Sequence, residues 1–167
     1  MKRYLFPLAS LLVICVVVSG LIALVNSLTE DVISEREQEA MIALRQEVLS
    51  ADSYTESESG EVVAHKDGEE IGYIYLKTAK GYGGDVSVMV GISTEGAVLG
   101  VEVLSHSETA GIGSKCVSDD FYSLFVGRDA PVSKGEIKIT GASITSNAIS
   151  EAVNSALADY SANHGGE

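Results

Sequence analysis

The sequence has few of the residues that ligate metals and metal-containing redox cofactors. Its 167 residues include only two cysteines, Cys15 and Cys116, and three histidines, His65, His106 and His164, each isolated from the others. This scarcity argues against structural zinc, haem attached through a C-x-x-C-H motif, and iron–sulfur clusters. We therefore predict no metal site in this chain.

Basic residues are also scarce, with 11 lysines and arginines against 24 aspartates and glutamates. Residues 1–28 hold two of the basic residues and no acidic residue, so the remainder carries a net charge of −15. A domain this acidic repels phosphate backbones and anionic surfaces. Nucleic acid is therefore excluded as a partner.

Charge of either sign is absent from Tyr4 to Val25, a run of 22 residues. As a helix this run is roughly 33 Å long, about the thickness of the hydrocarbon core of a bilayer. A cleaved signal peptide is the alternative, but its apolar region is shorter, about 7–15 residues, and is followed by a small-residue cleavage site. We predict one uncleaved transmembrane helix within an N-terminal membrane anchor, residues 1–28.

The charges that flank this run predict its orientation. Lys2 and Arg3 precede it, whereas acidic residues follow it. Because cationic flanks stay in the cytoplasm, the N-terminus is predicted to be cytoplasmic, with the rest of the chain on the outer face of the plasma (inner) membrane. In this single-pass topology Cys15 and Cys116 cannot form an intrachain disulfide.

The segment after the span divides into a helix, a loop and a sheet. Apolar residues recur at a helical period over 29–49, and the polar, serine-rich stretch Ser50–Glu61 is interpreted as a loop. Alternating apolar residues then predict two hairpins, with turns at Asp67-Gly68 and at Glu95-Gly96. The four antiparallel strands cover about residues 62–104, and the glycine-rich bend Gly81–Gly84 joins the hairpins.

The rest of the chain predicts helices and one more strand. A short helix begins at Ser118 or Asp119 and ends at Gly127, a further strand covers 135–139, and a helical stripe of apolar residues runs from Ile144 to Tyr160. No regular alternation of strands and helices is present, so a Rossmann-like sheet is not expected. The fold class is α+β, an antiparallel sheet with flanking helices, preceded by the transmembrane helix.

Three hydroxyl residues, Thr140, Ser143 and Thr145, lie where the predicted strand meets the predicted helix. One interpretation is ordinary helix capping, for which serine and threonine are common residues. The other is an attachment site: a helix N-terminus favours phosphate, and Gly141 and Ala142 leave room for a close approach. The four-residue pattern by itself favours capping.

Other stretches of the chain carry a family resemblance. In order, they are Gly81-Tyr82-Gly83-Gly84, Val90-Gly91-Ile92, the turn from His106 to Gly113, and Thr140-Gly141-Ala142-Ser143. Their order and the single N-terminal span resemble the FMN-binding G subunit of Rnf-type ion-translocating electron transport complexes. The related C subunit of the sodium-translocating NADH:quinone oxidoreductase is a more distant match.

The resemblance implies that FMN is attached covalently through a phosphoester bond to Ser143, installed by a separate flavin transferase. Serine stands where the family usually has threonine, so Thr145 remains an alternative acceptor. Glu136 replaces an aspartate that is common in the family, and Ala110 replaces a proline, which is expected to loosen its turn. Thr140, Gly141 and Ala142 complete the attachment motif.

Further cofactor-binding residues follow from the same resemblance. Tyr82 would stack on or wall the flavin, or else simply pack in the hairpin, and Gly84 would let the backbone bend close to the ring. Glu108 and Thr109 would hydrogen-bond the flavin or fix the turn, and Gly111 would provide backbone geometry. No catalytic residue is predicted, and Cys116 is expected to be a buried or unreactive thiol and not a redox centre.

The function implied is that of a membrane-anchored electron-transfer subunit with covalent FMN, one part of an ion-translocating ferredoxin or NADH oxidoreductase. Its partners would be the other subunits of that complex. Two alternatives stay open: a covalent-FMN domain of an extracellular electron-transfer or reductase system without ion pumping, and an anchored module without redox function. The predicted organisation is an anchor over 1–28, a stalk helix and acidic loop over 29–60, and an FMN-binding domain over 61–167.

Overall fold

The computed structural model describes residues 2–57 and 59–165, and within the first helix it describes the side chains of 11–26, 29 and 38–48. The charged residues from which the orientation was predicted lie outside these described side chains. The chain forms two compact units, Met1–Ile42 and Ala43–Glu167. The helix α1, Lys2–Val48, makes up the first unit, and its last residues, 43–48, belong to the second. It confirms the helix predicted after the apolar run. No helix among the described residues combines the length and the apolar character needed to cross a membrane.

The second unit is built on a five-stranded antiparallel sheet in which neighbours in sequence are neighbours in space. Its strands are β1 Ser53–Glu56, β2 Val62–Lys66, β3 Glu69–Lys80, β4 Asp85–Ser93 and β5 Val98–Ser105. Both predicted hairpins are present. Asp67 and Gly68 have φ of 54° and 83°, the left-handed conformation that a two-residue hairpin turn requires.

Two predictions about strands were wrong. The predicted loop over 50–61 contains β1, an edge strand that pairs with β2 and leaves most of its side chains exposed. The strand predicted over 135–139 is absent, because its backbone bonds to side chains of the last helix. Gly135 N–H donates to Asn147 Oδ1 at 3.1 Å, and Ile139 N–H donates to Ser146 Oγ at 3.0 Å.

The helices of the second unit follow the sheet in sequence. A 3₁₀ turn at Gly113–Cys116 leads to the short helix α2, Asp119–Tyr122, and the chain ends in the long helix α3, Ser143–His164. Helix α3 packs across β3 and β4 and buries one face of the sheet. This core contains Val86, Val88, Val90 and Ile92 of β4, Val101 and Val103 of β5, and Ile149, Val153 and Leu157 of α3.

The opposite face of the sheet receives the last turn of α1. Gly91 and Gly100 are partners across β4 and β5. A Cβ atom on Gly91 would lie 2.8 Å from Val48 Cγ1, and one on Gly100 would overlap the Val48 carbonyl oxygen. The glycine pair therefore makes the recess in which buried Val48 lies.

The C-terminal end of α3 is held by a buried carboxylate at the start of β2. Glu61 is 4% exposed, and its Oε2 accepts a hydrogen bond from Asn163 Nδ2 at 2.8 Å. The neighbouring His164 stacks on Tyr73 of β3 with ring centroids 3.9 Å apart. These contacts fix the far end of α3, so that its N-terminus has a defined position at the other end of the core.

Candidate functional site

Three segments that are distant in sequence enclose an open cavity of about 480 Å³. They are the bend between β3 and β4, the turn after β5 and the first turn of α3. The lining residues are Tyr82, Glu108, Thr109, Ile112, Gly113, Gly141, Ala142, Ser143, Ile144 and Thr145. The volume lies within the range of about 300–1,000 Å³ that is usual for small-molecule sites.

A single carboxylate joins the three segments. Glu108 Oε1 accepts hydrogen bonds from Tyr82 N–H at 2.8 Å and Gly83 N–H at 3.2 Å. Glu108 Oε2 accepts the hydroxyl hydrogen of Thr145 at 2.6 Å. The sequence left two roles open for Glu108, a hydrogen bond to the flavin or a structural role in the turn. Because both of its carboxylate oxygens accept hydrogen bonds from the protein, the structure supports the structural role.

The glycines of the bend and the turn make room for this carboxylate. A Cβ atom on Gly81 would overlap Glu108 Oε1, and one on Gly113 would come within 2.5 Å of Glu108 Oε2. A Cβ atom on Gly83 would overlap the Ser107 carbonyl oxygen. These three glycines therefore permit the close approach of bend and turn that forms one wall of the cavity.

The turn after β5 is closed by its own backbone. The Thr109 carbonyl oxygen accepts from the amides of Ile112, Gly113 and Ser114 at 3.0–3.4 Å. Gly111 has a φ of 76°, and its N–H donates to Ser114 Oγ at 2.8 Å. The turn is thus formed with Ala110 in place of proline, and Gly111 shapes it without lining the cavity.

The start of α3 is not capped by a side chain. Its N-cap residue is Ala142. The preceding residue, Gly141, has the left-handed conformation, with a φ of 89°. The capping interpretation of the three hydroxyls therefore finds no support. Ser146 instead ties the preceding segment to the helix, because its Oγ accepts the Ile139 amide and donates to the Ala142 carbonyl.

The three hydroxyl residues differ in their surroundings. Ser143 is the first residue of α3, exposed and lining the cavity. Thr145 is 1% exposed and donates its hydroxyl to Glu108. Thr140 is exposed just before the helix and does not line the cavity, and neither does Gly84 of the bend. The attachment motif thus presents one free hydroxyl to the cavity, that of Ser143.

Three large side chains with apolar surface lie around the cavity and are exposed to solvent. Tyr82 is 72% exposed, and Ile112 and Ile144 are each 52% exposed. The sequence placed Ile144 on the apolar stripe of the last helix, but the structure turns it outward. Ile112 and Ile144 were missed as site residues, although an isoleucine between two glycines of a turn is a signal that could have indicated the first of them.

Two titratable residues outside the lining of the cavity, Glu136 and Cys116, have shifted pKa values. Glu136 accepts from Arg128 Nη1 at 2.7 Å and from the Ser133 amide at 3.0 Å, and these bonds hold its pKa below the usual value. Burial raises the pKa of the Cys116 thiol, and a hydrogen bond with Ser146 opposes the rise. Cys116 is fully buried, as predicted. Within residues 2–57 and 59–165, no group of three His, Cys, Asp or Glu side chains is placed to hold a metal ion.

The site is thus a cavity with an apolar rim at a helix N-terminus in an α+β domain, and similar proteins indicate what kind of domain this is. Residues 81–158 match the FMN-binding domain family, and residues 9–48 match the RnfG N-terminal region. The first match contains every residue that lines the cavity.

The chain is similar to named proteins over nearly its full length. It is 28% identical to the G subunit of the proton-translocating ferredoxin:NAD(+) oxidoreductase complex of Clostridium ljungdahlii, with 99% of this chain and 97% of that protein covered. It is 32% identical to the G subunit of the Na(+)-translocating ferredoxin:NAD(+) oxidoreductase complex of Acetobacterium woodii, with 90% and 88% covered. The solved C subunit of the Na(+)-translocating NADH-quinone reductase of Parabacteroides distasonis is 22% identical, with a TM-score of 0.49 over 60% of this chain and 59% of that one.

The relatives that match over most of their length decide the family. The chain belongs to the RnfG family, the G subunits of ion-translocating oxidoreductase complexes, which confirms the resemblance found in the sequence.

Proposed function

We propose that this chain is a membrane-anchored electron-transfer subunit of an ion-translocating ferredoxin:NAD oxidoreductase complex, with FMN attached covalently to Ser143. Membership of the RnfG family and the FMN-binding domain over 81–158 support the function. The observation that carries the site is the cavity that joins the bend at Tyr82, the turn at Glu108 and the start of α3.

The cavity matches two parts of FMN, its ring system and its phosphate. The exposed side chains of Tyr82, Ile112 and Ile144 provide apolar surface that a flat, largely apolar ring system would cover. The first amides of α3 have no partners within the helix, and they favour a phosphate at its N-terminus. Tyr82, Ile112 and Ile144 would therefore hold the ring, and the start of α3 would hold the phosphate.

Ser143 is the acceptor that the structure favours over Thr145. The Ser143 side chain is exposed at the cavity, with no hydrogen bond to any described residue. The Thr145 hydroxyl is buried and donates to Glu108 at 2.6 Å, so it can form an ester only if that bond breaks. Thr140 lies outside the lining of the cavity.

When bound, FMN supplies the electron-transfer chemistry of the domain, and the polypeptide supplies position and surroundings. Glu108 holds the bend and the turn against α3, and Tyr82, Ile112 and Ile144 would give the ring apolar neighbours. No side chain of the cavity is assigned a role in proton or group transfer. The electron donor and acceptor are the neighbouring subunits of the complex.

The apolar run Tyr4–Val25 is proposed as the membrane anchor, with the second unit on the outer face of the plasma membrane. In the described part of α1, large apolar side chains from Leu11 to Val25 are 47–64% exposed. Side chains of this kind on all faces of one helix are suited to a lipid environment. A flavin transferase on the same side of the membrane would then attach the FMN.

The intact mass of the full chain tests this proposal, after coexpression with a flavin transferase and purification in detergent. Wild type is expected to gain the mass of FMN less one water. Ser143→Ala is expected to lose the whole adduct, whereas Thr140→Ala, the matched control, is expected to retain it. Folded Thr145→Val, which lacks the alternative acceptor, is also expected to carry the adduct. Loss of the adduct in Thr145→Val alone would move the site, and a folded, exported wild type without adduct would contradict covalent attachment.

A further inference from the structure

A second cavity, of about 460 Å³, lies apart from the start of α3, between β5, α2 and the last turn of α1. Three carboxylate residues line it: Glu47, Glu102 and Asp119. Among the described residues none of the three is in a salt bridge. Three like charges are thus collected around one concave surface without a cation to neutralise them.

The charge of these carboxylates affects their own protonation. Burial raises the pKa of Glu102, the negative charges of Glu47 and Asp119 raise it further, and a hydrogen bond with the Val103 backbone opposes the rise. Glu102 lies on the sheet face that also carries Gly100, so its carboxylate is directed to the same side as the end of α1. Repulsion between these like charges lowers the stability of the folded protein. A bound cation would remove this repulsion.

An unpartnered hydroxyl lies at the same cavity. Tyr122 is 5% exposed and lines the cavity, and its hydroxyl finds no hydrogen-bond partner within residues 2–57 and 59–165. Burial raises the pKa of the Tyr122 hydroxyl, the negative charge of Glu102 raises it further, and the nearby Val103 backbone lowers it. Buried hydroxyls are nearly always hydrogen-bonded, so this one indicates a missing polar partner.

The rim of the cavity is apolar. Leu99 is 41% exposed and Val126 is 50% exposed, and both line the cavity beside the carboxylates. A lysine or arginine side chain combines a cationic head with an apolar stem, and it matches a cavity lined by both carboxylates and exposed apolar side chains. A metal ion does not, because no three described carboxylate, His or Cys side chains come close enough to ligate one.

We propose that this acidic cavity binds a lysine or arginine side chain of a neighbouring subunit of the complex, with Glu47, Glu102 and Asp119 as the counter-charges. The Tyr122 hydroxyl gains its missing partner in the bound segment. The proposal rests on the proposed function, since it assumes assembly with other subunits. It assigns a docking role to part of the acidic surface, which lies apart from the flavin cavity.

The test uses the full chain, tagged and purified in detergent from its native membranes, and measures the partner subunits that copurify as salt is raised. One variant neutralises the cavity: Glu47→Gln, Glu102→Gln and Asp119→Asn together. The matched control removes the same charge from three exposed positions elsewhere, with Glu69→Gln, Asp85→Asn and Glu95→Gln. Covalent flavin and thermal unfolding are measured on every sample.

Neutralising the cavity is expected to lower partner recovery by about tenfold or more at physiological salt, with full flavin loading and an unchanged or higher melting temperature. The control is expected to behave as wild type. Equal recovery from the cavity variant and wild type, or an equal loss in the control, would overturn the docking proposal and leave the proposed function intact. A wild type that recovers no partner would instead contradict the proposed function.

Tyr122→Phe separates docking from a purely structural role. Because the hydroxyl has no partner among the described residues, its removal is expected to leave the melting temperature unchanged or higher while partner recovery falls at elevated salt. A lower melting temperature with unchanged recovery would show that the hydroxyl acts within the fold, and it would overturn its assignment to the docking site.

Discussion

At the scale of single residues, the cavity at the start of α3 depends on one carboxylate more than on any other group. The Glu108 carboxylate accepts hydrogen bonds from two backbone amides and one hydroxyl, and three glycines make room for it. The residues that touch it come from three segments, so a change at one of them alters the relation of the other two. Thr145 is the partner whose loss can be measured most directly.

Thr145→Val removes the hydroxyl that Glu108 Oε2 accepts, with little change in the volume of a side chain that is 1% exposed. We expect a loss of about 1–3 kcal/mol in the free energy of unfolding, because the half-buried carboxylate then lacks a partner. Thermal or denaturant unfolding of the full chain in detergent measures this loss. Thr145→Ser is expected to recover most of it, and Thr140→Val, at an exposed hydroxyl, to cause none. A neutral Thr145→Val would contradict the bridging role of Glu108.

Glu136 predicts a dependence of stability on pH. Its hydrogen bonds with Arg128 and with the Ser133 amide lower its pKa in the folded state. The unfolded chain therefore binds the proton more tightly, and the stabilisation from Glu136 is present above the ordinary glutamate pKa of about 4.3 and is lost as pH falls through the folded value.

We expect the difference in melting temperature between wild type and Glu136→Gln to be constant near neutral pH and to shrink as pH falls below about 4.3. Glu95→Gln, in the exposed turn of the second hairpin, is the control and is expected to show no such trend. A difference that grows on acidification would show that the sign of the effect is wrong.

At the scale of elements, the paired glycines of β4 and β5 explain how the end of α1 packs on the sheet. Gly91 and Gly100 face each other across the two strands, and both would contact Val48 if they carried a side chain. The family motif that contains Gly91 in the sequence thus has a packing role on the sheet face opposite to α3.

Gly100→Ala is expected to destabilise the protein by about 1–3 kcal/mol, because the added methyl group overlaps the backbone carbonyl of Val48 and forces a backbone shift. Unfolding of the full chain measures it, with Ser105→Ala at the exposed end of the same strand as the control. An unchanged Gly100→Ala would mean that the last turn of α1 moves away from the sheet without cost.

The elements were predictable where local chemistry decides them. Asp67-Gly68 and Glu95-Gly96 supply backbone conformations that demand hairpins, so four strands were placed correctly. β1 was missed because an exposed polar edge strand has no buried face and therefore no alternating pattern. The strand predicted over 135–139 failed because its apolar alternation meets α3 instead of another strand, a contact that only the tertiary fold determines.

The site was predictable as a list of motif residues but not as a cavity. The motifs named Tyr82, Glu108 and Ser143, and the fold brings them to one cavity. The sequence did not show that the Thr145 hydroxyl donates a hydrogen bond to Glu108, which lies 37 positions earlier in the chain. Nor did it indicate Ile144, because a helical stripe predicts burial and the first turn of this helix has an exposed apolar side.

At the scale of the whole molecule, the membrane topology is open to a direct measurement. We expect Glu95→Cys, at an exposed hairpin tip, to react with a membrane-impermeant maleimide in intact spheroplasts. Lys2→Cys is expected to react only after permeabilisation. Cys116 gives little background because it is fully buried with a raised pKa. Labelling of Lys2→Cys from outside, with Glu95→Cys protected, would reverse the proposed orientation.

The three-way bridge at Glu108 has a consequence for the order of events during maturation. It joins Tyr82, 26 positions earlier, to Thr145, 37 positions later, and an unfolded chain seldom closes two such loops at once. The surroundings of Ser143 therefore come into existence only when the sheet and α3 have docked. On the proposal that Ser143 is the acceptor, we expect attachment of FMN to require the folded domain, so that the yellow colour of a preparation would count the molecules that folded before they were modified.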